Sequence, residues 1–231
     1  MERQFDGLFT VSVDGGDARL IHVDSTEYRG YNKASWSPDG RWIAFTCYDH
    51  KGQMDLCIIP SDGGEVRQLV KSVYPWRKIF IGRPAWSPDG AFIAYATPEE
   101  DGRGTVCVVP FQGGDPDVVV RLEPGILSKC VTWSPDGKML AYNTCEAAYN
   151  LEVGTESGVN GDIRVMRLDD KQSHVLRTGL RLKDVYDIDW SPNGERIVFS
   201  AYWDSDKNFY LMENFLPLEQ PMESEPNSVV F

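Results

Sequence analysis

What this chain lacks narrows its biology before any motif is read. It has no apolar run long enough to cross a bilayer as a helix, which takes about 20 residues, so a membrane-spanning helix is excluded. Basic residues are scarce: 23 Lys and Arg stand against 35 Asp and Glu, a formal charge of −12. Nucleic-acid affinity is built on cations that neutralise phosphates, so no nucleic-acid partner is expected, and the acidity is read as serving solubility. Histidine is rare, at 3. His22 and His174 fall in outer-strand runs and His50 in a loop, so they do not converge on a metal ion; no metal and no other cofactor is expected. The 5 cysteines include no Cys-x-x-Cys, and an odd count does not describe a disulfide framework. Cys47, Cys57, Cys107, Cys130 and Cys145 are read as buried reduced thiols, with a Cys47–Cys57 bridge across one hairpin as the alternative. There is no Gly-x-Ser-x-Gly and no room for a hydrolase domain. The opening Met1–Gly7 lacks the basic and apolar regions of a secretory signal. The expected location is therefore cytoplasmic for the chain as given, and periplasmic or extracellular for a piece of a longer protein.

What is present is a repeat. Trp36-Ser-Pro-Asp-Gly40 returns as Trp86–Gly90 and Trp133–Gly137, and once more with Asn for Asp as Trp190–Gly194. The intervals of 50, 47 and 57 residues are those of propeller blades. After each motif comes a short run rich in aromatic and branched residues, such as Trp42–Thr46 and Phe92–Ala96, which is a strand signature. Pro sets φ for the turn and Gly takes its left-handed position. A second hairpin follows, built on Asp55–Pro60 and Val66–Val70, then Thr105–Pro110 and Val118–Val120, then Ile163–Leu168 and His174–Leu176.

Each full repeat is thus four antiparallel strands, a to d, and the fold class is all-β: a β-propeller of about four blades. Residues 8–23 supply strands c and d of an incomplete blade. Full blades occupy 31–70, 82–121 and 129–177, a partial blade occupies 186–214, and 217–231 form a mobile tail after a propeller region of 1–216.

The Trp-Ser-Pro-Asp-Gly turn followed by an Ile-Ala-Phe-type strand resembles the TolB-like, WD-like propeller repeat, over roughly residues 8–214. Relatives by this resemblance include TolB, the propeller domains of prolyl-oligopeptidase-like and tricorn-type peptidases, and oligogalacturonate lyases. Most of these close a ring with more blades, which leaves three arrangements: part of a longer protein, a small closed ring, or a half ring that pairs with a second chain. The peptidase relatives keep their nucleophile outside the propeller, so the resemblance implies no peptidase activity here.

Connectivity puts the a–b and c–d turns on one face, and the b–c loops and d–a crossings on the other. Function concentrates in irregular loops on a rigid scaffold. On that second face the crossing Ser72–Gly82 carries Tyr74, Trp76, Arg77 and Lys78. The b–c loop Glu146–Gly161 is long, and the last one holds Tyr202, Trp203, Asp204 and Asp206. Exposed Trp, Tyr and Arg are contact anchors. Strand a lines the central channel, so Asn32, Lys33, Arg83, Lys129, Tyr186 and Asp187 crowd its mouth, where three cations suit a peptide carboxylate or an acidic sugar. Asp49, Asp101 and Asp204 are read as turn caps rather than a cation site. The function expected is a non-enzymatic scaffold for a protein, peptide or glycan on the loop-rich face. The alternatives are a carbohydrate-active enzyme using Arg83, Lys129, Tyr186 and Asp187, or a propeller piece of a larger peptidase or kinase. Pairing of two chains through open blade edges stays open beside these.

Overall fold

A computed structural model describes residues 7–23, 28–49, 54–71, 82–150, 155–178, 180, 182, 184–203 and 206–213. Within these, only the backbone is described for 28–32, 49, 147–150, 155–160, 202–203 and 206–213. Every named element among them is a strand.

The five sheets follow chain order. The first is a two-stranded hairpin, β1 (Gly7–Thr10) with β2 (Arg19–Val23). The second runs β3 (Tyr28–Trp36), β4 (Trp42–Asp49), β5 (Met54–Pro60), β6 (Arg67–Val70). The third runs β7 (Ala85–Trp86), β8 (Phe92–Pro98), β9 (Arg103–Pro110), β10 (Asp117–Pro124). The fourth joins β11 (Ile126–Leu127) and β12 (Val131–Trp133) to one side of β13 (Met139–Asn150), followed by β14 (Thr155–Arg167) and β15 (Ser173–Val175). The last is β16 (Asp184–Trp190), β17 (Arg196–Trp203), β18 (Asp206–Glu213). Neighbouring strands are antiparallel throughout, the arrangement of propeller blades. No closed ring forms among the described residues.

Each repeated turn is locked by its own side chains. Ser37 Oγ donates to Asp39 Oδ1 at 2.6 Å and accepts from the Trp42 amide at 2.9 Å, while Asp39 Oδ1 also accepts from the Arg41 amide at 3.0 Å. The same three bonds recur at Ser87/Asp89 and Ser134/Asp136. Gly40, Gly90, Gly137 and Gly194 hold φ of 69–75°, the left-handed region that favours glycine. The a–b and c–d turns then bond each other: the amides of Ser61, Phe111 and Leu168 donate to the carbonyls of Arg41, Ala91 and Lys138. This puts both turn types on one face, as the connectivity predicts.

Four apolar clusters glue consecutive sheets together. Leu8 and Ile21 of the first hairpin pack on Phe45, Cys47, Cys57 and Ile59. Leu56 and Ile58 meet Ile93 and Val109; Val106 and Val108 meet Leu140 and Tyr142; Ile163 and Val165 meet Ile197 and Phe199. Burying such side chains contributes about 1.5–3 kcal/mol each. The tryptophans add a directional tie: Trp86 Nε1 donates to the Ser35 carbonyl at 3.3 Å, and Trp133 Nε1 to the Ala85 carbonyl at 3.0 Å, each reaching back one blade. Trp36 has no strand a before it in the described chain and is 53 % exposed. All five cysteines are buried and none is in a disulfide.

Two loop expectations are corrected. The segment 146–161 is not an irregular loop: Glu146 pairs with Val159 and Asn150 with Thr155, so β13 and β14 extend as a ladder. Their backbones keep pairing past the bulge at Cys145, which satisfies the amides that a loop would leave to water. Likewise Tyr202 pairs with Lys207 and Trp203 with Asp206, which places them in strands rather than in a loop.

Candidate functional site

The Trp turn recurs at the end of each strand a, so equal offsets from Trp mark matching positions in the repeat. Three positions before each Trp stand Lys33, Arg83, Cys130 and Asp187. A cavity of about 210 Å³ takes in Arg83 and Asp187 of these, lined also by Ser35, Ala85, Thr132 and Asp189 with their neighbours. Arg83 Nη1 lies 3.9 Å from Asp187 Oδ2, and both side chains are more than half exposed, at 53 % and 58 %. An exposed pair of this kind is worth about 0–1 kcal/mol and exchanges readily with an incoming charge. Lys33 sits in a bulge of β3 with φ +50°. Its surface reaches solvent, yet the concave wall strips water from it: desolvation lowers its pKa, while the charge of Asp187 pulls the other way. The fourth residue at this repeat position, Cys130, is fully sealed, and burial together with Asp187 pushes its thiol pKa up, so it is inert.

Lys129 plays a different part. Its Nζ is 2.9 Å from Asp184 Oδ2, with side-chain exposures of 17 % and 2 %. This is an interior pair between consecutive blades, and removing either partner would strand a buried charge. Below it Asn143 Oδ1 accepts from the Lys129 and Cys130 amides at 2.7 and 3.0 Å, and Asn143 Nδ2 donates to the Val185 carbonyl at 3.2 Å. On the other side Gly82 packs so closely that a Cβ there would lie 2.3 Å from the Lys129 carbonyl oxygen. The 128–130 crossing is thereby pinned from three sides and forms a rigid step at the mouth.

Of the expected residues, Arg83 and Asp187 line this cavity, Lys33 lies within electrostatic reach of Asp187 and Lys129, and Lys129 is committed to its buried pair with Asp184. Tyr186 is 37 % exposed at a bulge between Val185 and Asp187. Trp76, Arg77 and Lys78 lie outside the described residues, and for Trp203 only the backbone is described. Sequence reasoning missed Asp184, Asn143 and Asp189. Asp189 Oδ1 accepts from Thr132 Oγ1 at 3.3 Å, a link between neighbouring strands a that equal spacing from Trp, one residue back, could have shown. Asp184, six positions before its Trp, carries no such repeat signal.

The described loop-face turn at 99–102 is ordinary. Asp101 accepts from the Arg103 amide at 3.2 Å and its Nε at 2.6 Å, the turn-capping role expected of it. Arg121 closes this edge with a two-pronged pair to Glu99. Among the described residues no three His, Cys, Asp or Glu side chains gather to share a metal ion, and no helix is long and apolar enough to cross a membrane.

Comparison with known proteins supports this architecture. The family model for the WD domain, G-beta repeat, matches residues 173–210, which run from β15 into β18. No curated protein sequence matches the chain. Among solved structures, a protein assigned as TolB from Agrobacterium tumefaciens superposes with a TM-score of 0.61 at 20 % identity, covering 91 % of this chain and 77 % of that one. An oligogalacturonate lyase from Vibrio parahaemolyticus gives 0.63 at 12 % identity, covering 90 % of this chain and 57 % of the lyase. TolB from Acinetobacter baumannii gives 0.50 at 15 % identity, covering 90 % and 57 %. The chain spans little more than half the length of the last two. These likenesses show a shared fold.

Proposed function

We propose, from the premise that the chain is built of TolB-like, WD-like propeller repeats, that it is a binding propeller which takes a peptide segment of a partner protein over the mouth of its strand-a channel. One observation supports this above the rest: Arg83 and Asp187, which share one repeat position with Lys33, present accessible charges of both signs at one opening. A peptide offers both signs within a few residues, whereas a uniformly acidic glycan would meet Asp187 and Asp189 as well as the cations. The pinned step at Lys129 keeps the mouth rigid, so little ordering cost falls on the protein when a ligand docks.

The test is a peptide-display selection against the wild-type chain, followed by calorimetry of the selected peptides. Arg83→Glu and Asp187→Lys should each weaken binding by roughly tenfold or more, because like charges brought together at an interface cost several kcal/mol. Equal affinities for wild type and both variants would remove the channel mouth from the reading.

A further inference from the structure

Cys47 and Cys57 stand ten positions apart on β4 and β5, both completely buried, with their sulfurs at 3.0 Å. Cys47 faces Asp55 across the ladder and Cys57 faces Phe45. Opposed residues share a face and strands alternate, so the two cysteines are diagonal neighbours on one side of the sheet. That side is the apolar seam against the first hairpin, where Phe45, Ile59, Leu8 and Ile21 surround them. A disulfide needs about 2.0 Å between sulfurs, so closure asks for a shift of about one ångström.

We propose that Cys47 and Cys57 are a reversible redox pair. The oxidant is a low-molecular-weight disulfide such as oxidised glutathione. One cysteine thiolate attacks it and releases the first glutathione as a thiol. The second cysteine then displaces the other glutathione, forming the Cys47–Cys57 bond. The two protein sulfurs together lose two electrons and two protons, and one glutathione disulfide becomes two thiols. Because both sulfurs are sealed in the seam, exchange takes place while the chain folds or when the hairpin opens. Thiol–disulfide exchange runs in both directions, so excess reduced glutathione reopens the bond by the same steps. Cys47 sits two residues before the end of β4, so the bridge clamps the β4–β5 hairpin.

The experiment refolds the whole chain from denaturant in oxidised or in reduced glutathione, then alkylates it under denaturing conditions and maps peptides by mass spectrometry. The expected result is five alkylated cysteines from reduced glutathione. From oxidised glutathione, Cys47 and Cys57 should be protected from alkylation, with a loss of two hydrogens confined to a Cys47–Cys57 peptide pair. Incubation of the oxidised folded protein with excess reduced glutathione should restore the full count. A full count after oxidative refolding, or a bridge between other cysteines, would overturn the proposal. A Cys47–Cys57 bridge that survives excess reduced glutathione would overturn its reversibility. Because the mapping is done on wild type, no variant needs to fold.

Discussion

At the scale of single residues, the mouth depends on a few buried groups that charge or motif counting passes over. Asn143 is one. It reads in the sequence as one more strand residue, yet it is wholly buried and bonds both the crossing before it and Val185 of the next blade. Asn143→Ala would leave the Lys129 and Cys130 amides without an acceptor, at roughly 1–3 kcal/mol each, a loss that urea denaturation would register. Gly82→Ala should cost about 1–3 kcal/mol by overpacking, since the obstructing atom is backbone and cannot swing away. Neither substitution touches an exposed charge, so an unchanged stability in both would mean the crossing is not held as described. Lys33, Arg83 and Asp187 stand out in the sequence because they share one offset from the repeated Trp. Asp184 and Asn143 were not, because their partners are set by packing between repeats.

At the scale of the element, the four-times repeated turn explains its own spelling. Ser donates to Asp, Asp collects the amide two residues on, and Gly turns the chain. In Asp39, Asp89 and Asp136 the Ser hydroxyl is the largest cause holding the carboxyl pKa below its ordinary value. A depressed carboxylate favours the folded state above the unfolded value near 3.9, and that contribution is lost as pH falls through the lower folded value. Acid titration followed by tryptophan fluorescence should therefore show destabilisation beginning below about pH 4, flattened in the triple variant Asp39→Asn, Asp89→Asn, Asp136→Asn. The fourth turn shows what amide chemistry requires: Asn193 Oδ1 takes the Ser191 hydroxyl at 2.6 Å, while its Nδ2 donates to Glu195 at 2.7 Å. Arg41, Ala91 and Lys138 stand where Glu195 does, so Asp136→Asn should lower the melting temperature, and adding Lys138→Glu should restore part of it. The extension of β13 and β14 was misread for the opposite reason: Gly154, Gly158 and Gly161 signal a loop, and ladder pairing overrode them.

At the scale of the molecule, the sheets stack in one series, each gripping the next, and the repeat intervals alone made that order readable. The ends are different. Phe9, Leu20 and Val23 of the first hairpin are 56 %, 48 % and 40 % exposed, on a sheet of two strands among the described residues. Exposed apolar edges of this kind promote association between chains. Light scattering during size-exclusion chromatography should show an apparent mass that rises with concentration above 26.1 kDa. Phe9→Lys with Leu20→Lys should suppress that rise without lowering the melting temperature, because both side chains are already largely in water. A rise that persists in the double variant would place the association elsewhere.

The indole bonds that reach back from Trp86 and Trp133 have a consequence for how such a chain can be cut and rejoined. Each tryptophan is spelled in one repeat and anchored in the one before it. Ser35 and Trp86 lie 51 residues apart and Ala85 and Trp133 lie 48 apart, one full repeat in each case. No division of the gene into single repeats, wherever it falls, keeps such an anchor with its socket, whereas a piece of two repeats holds the bond inside itself.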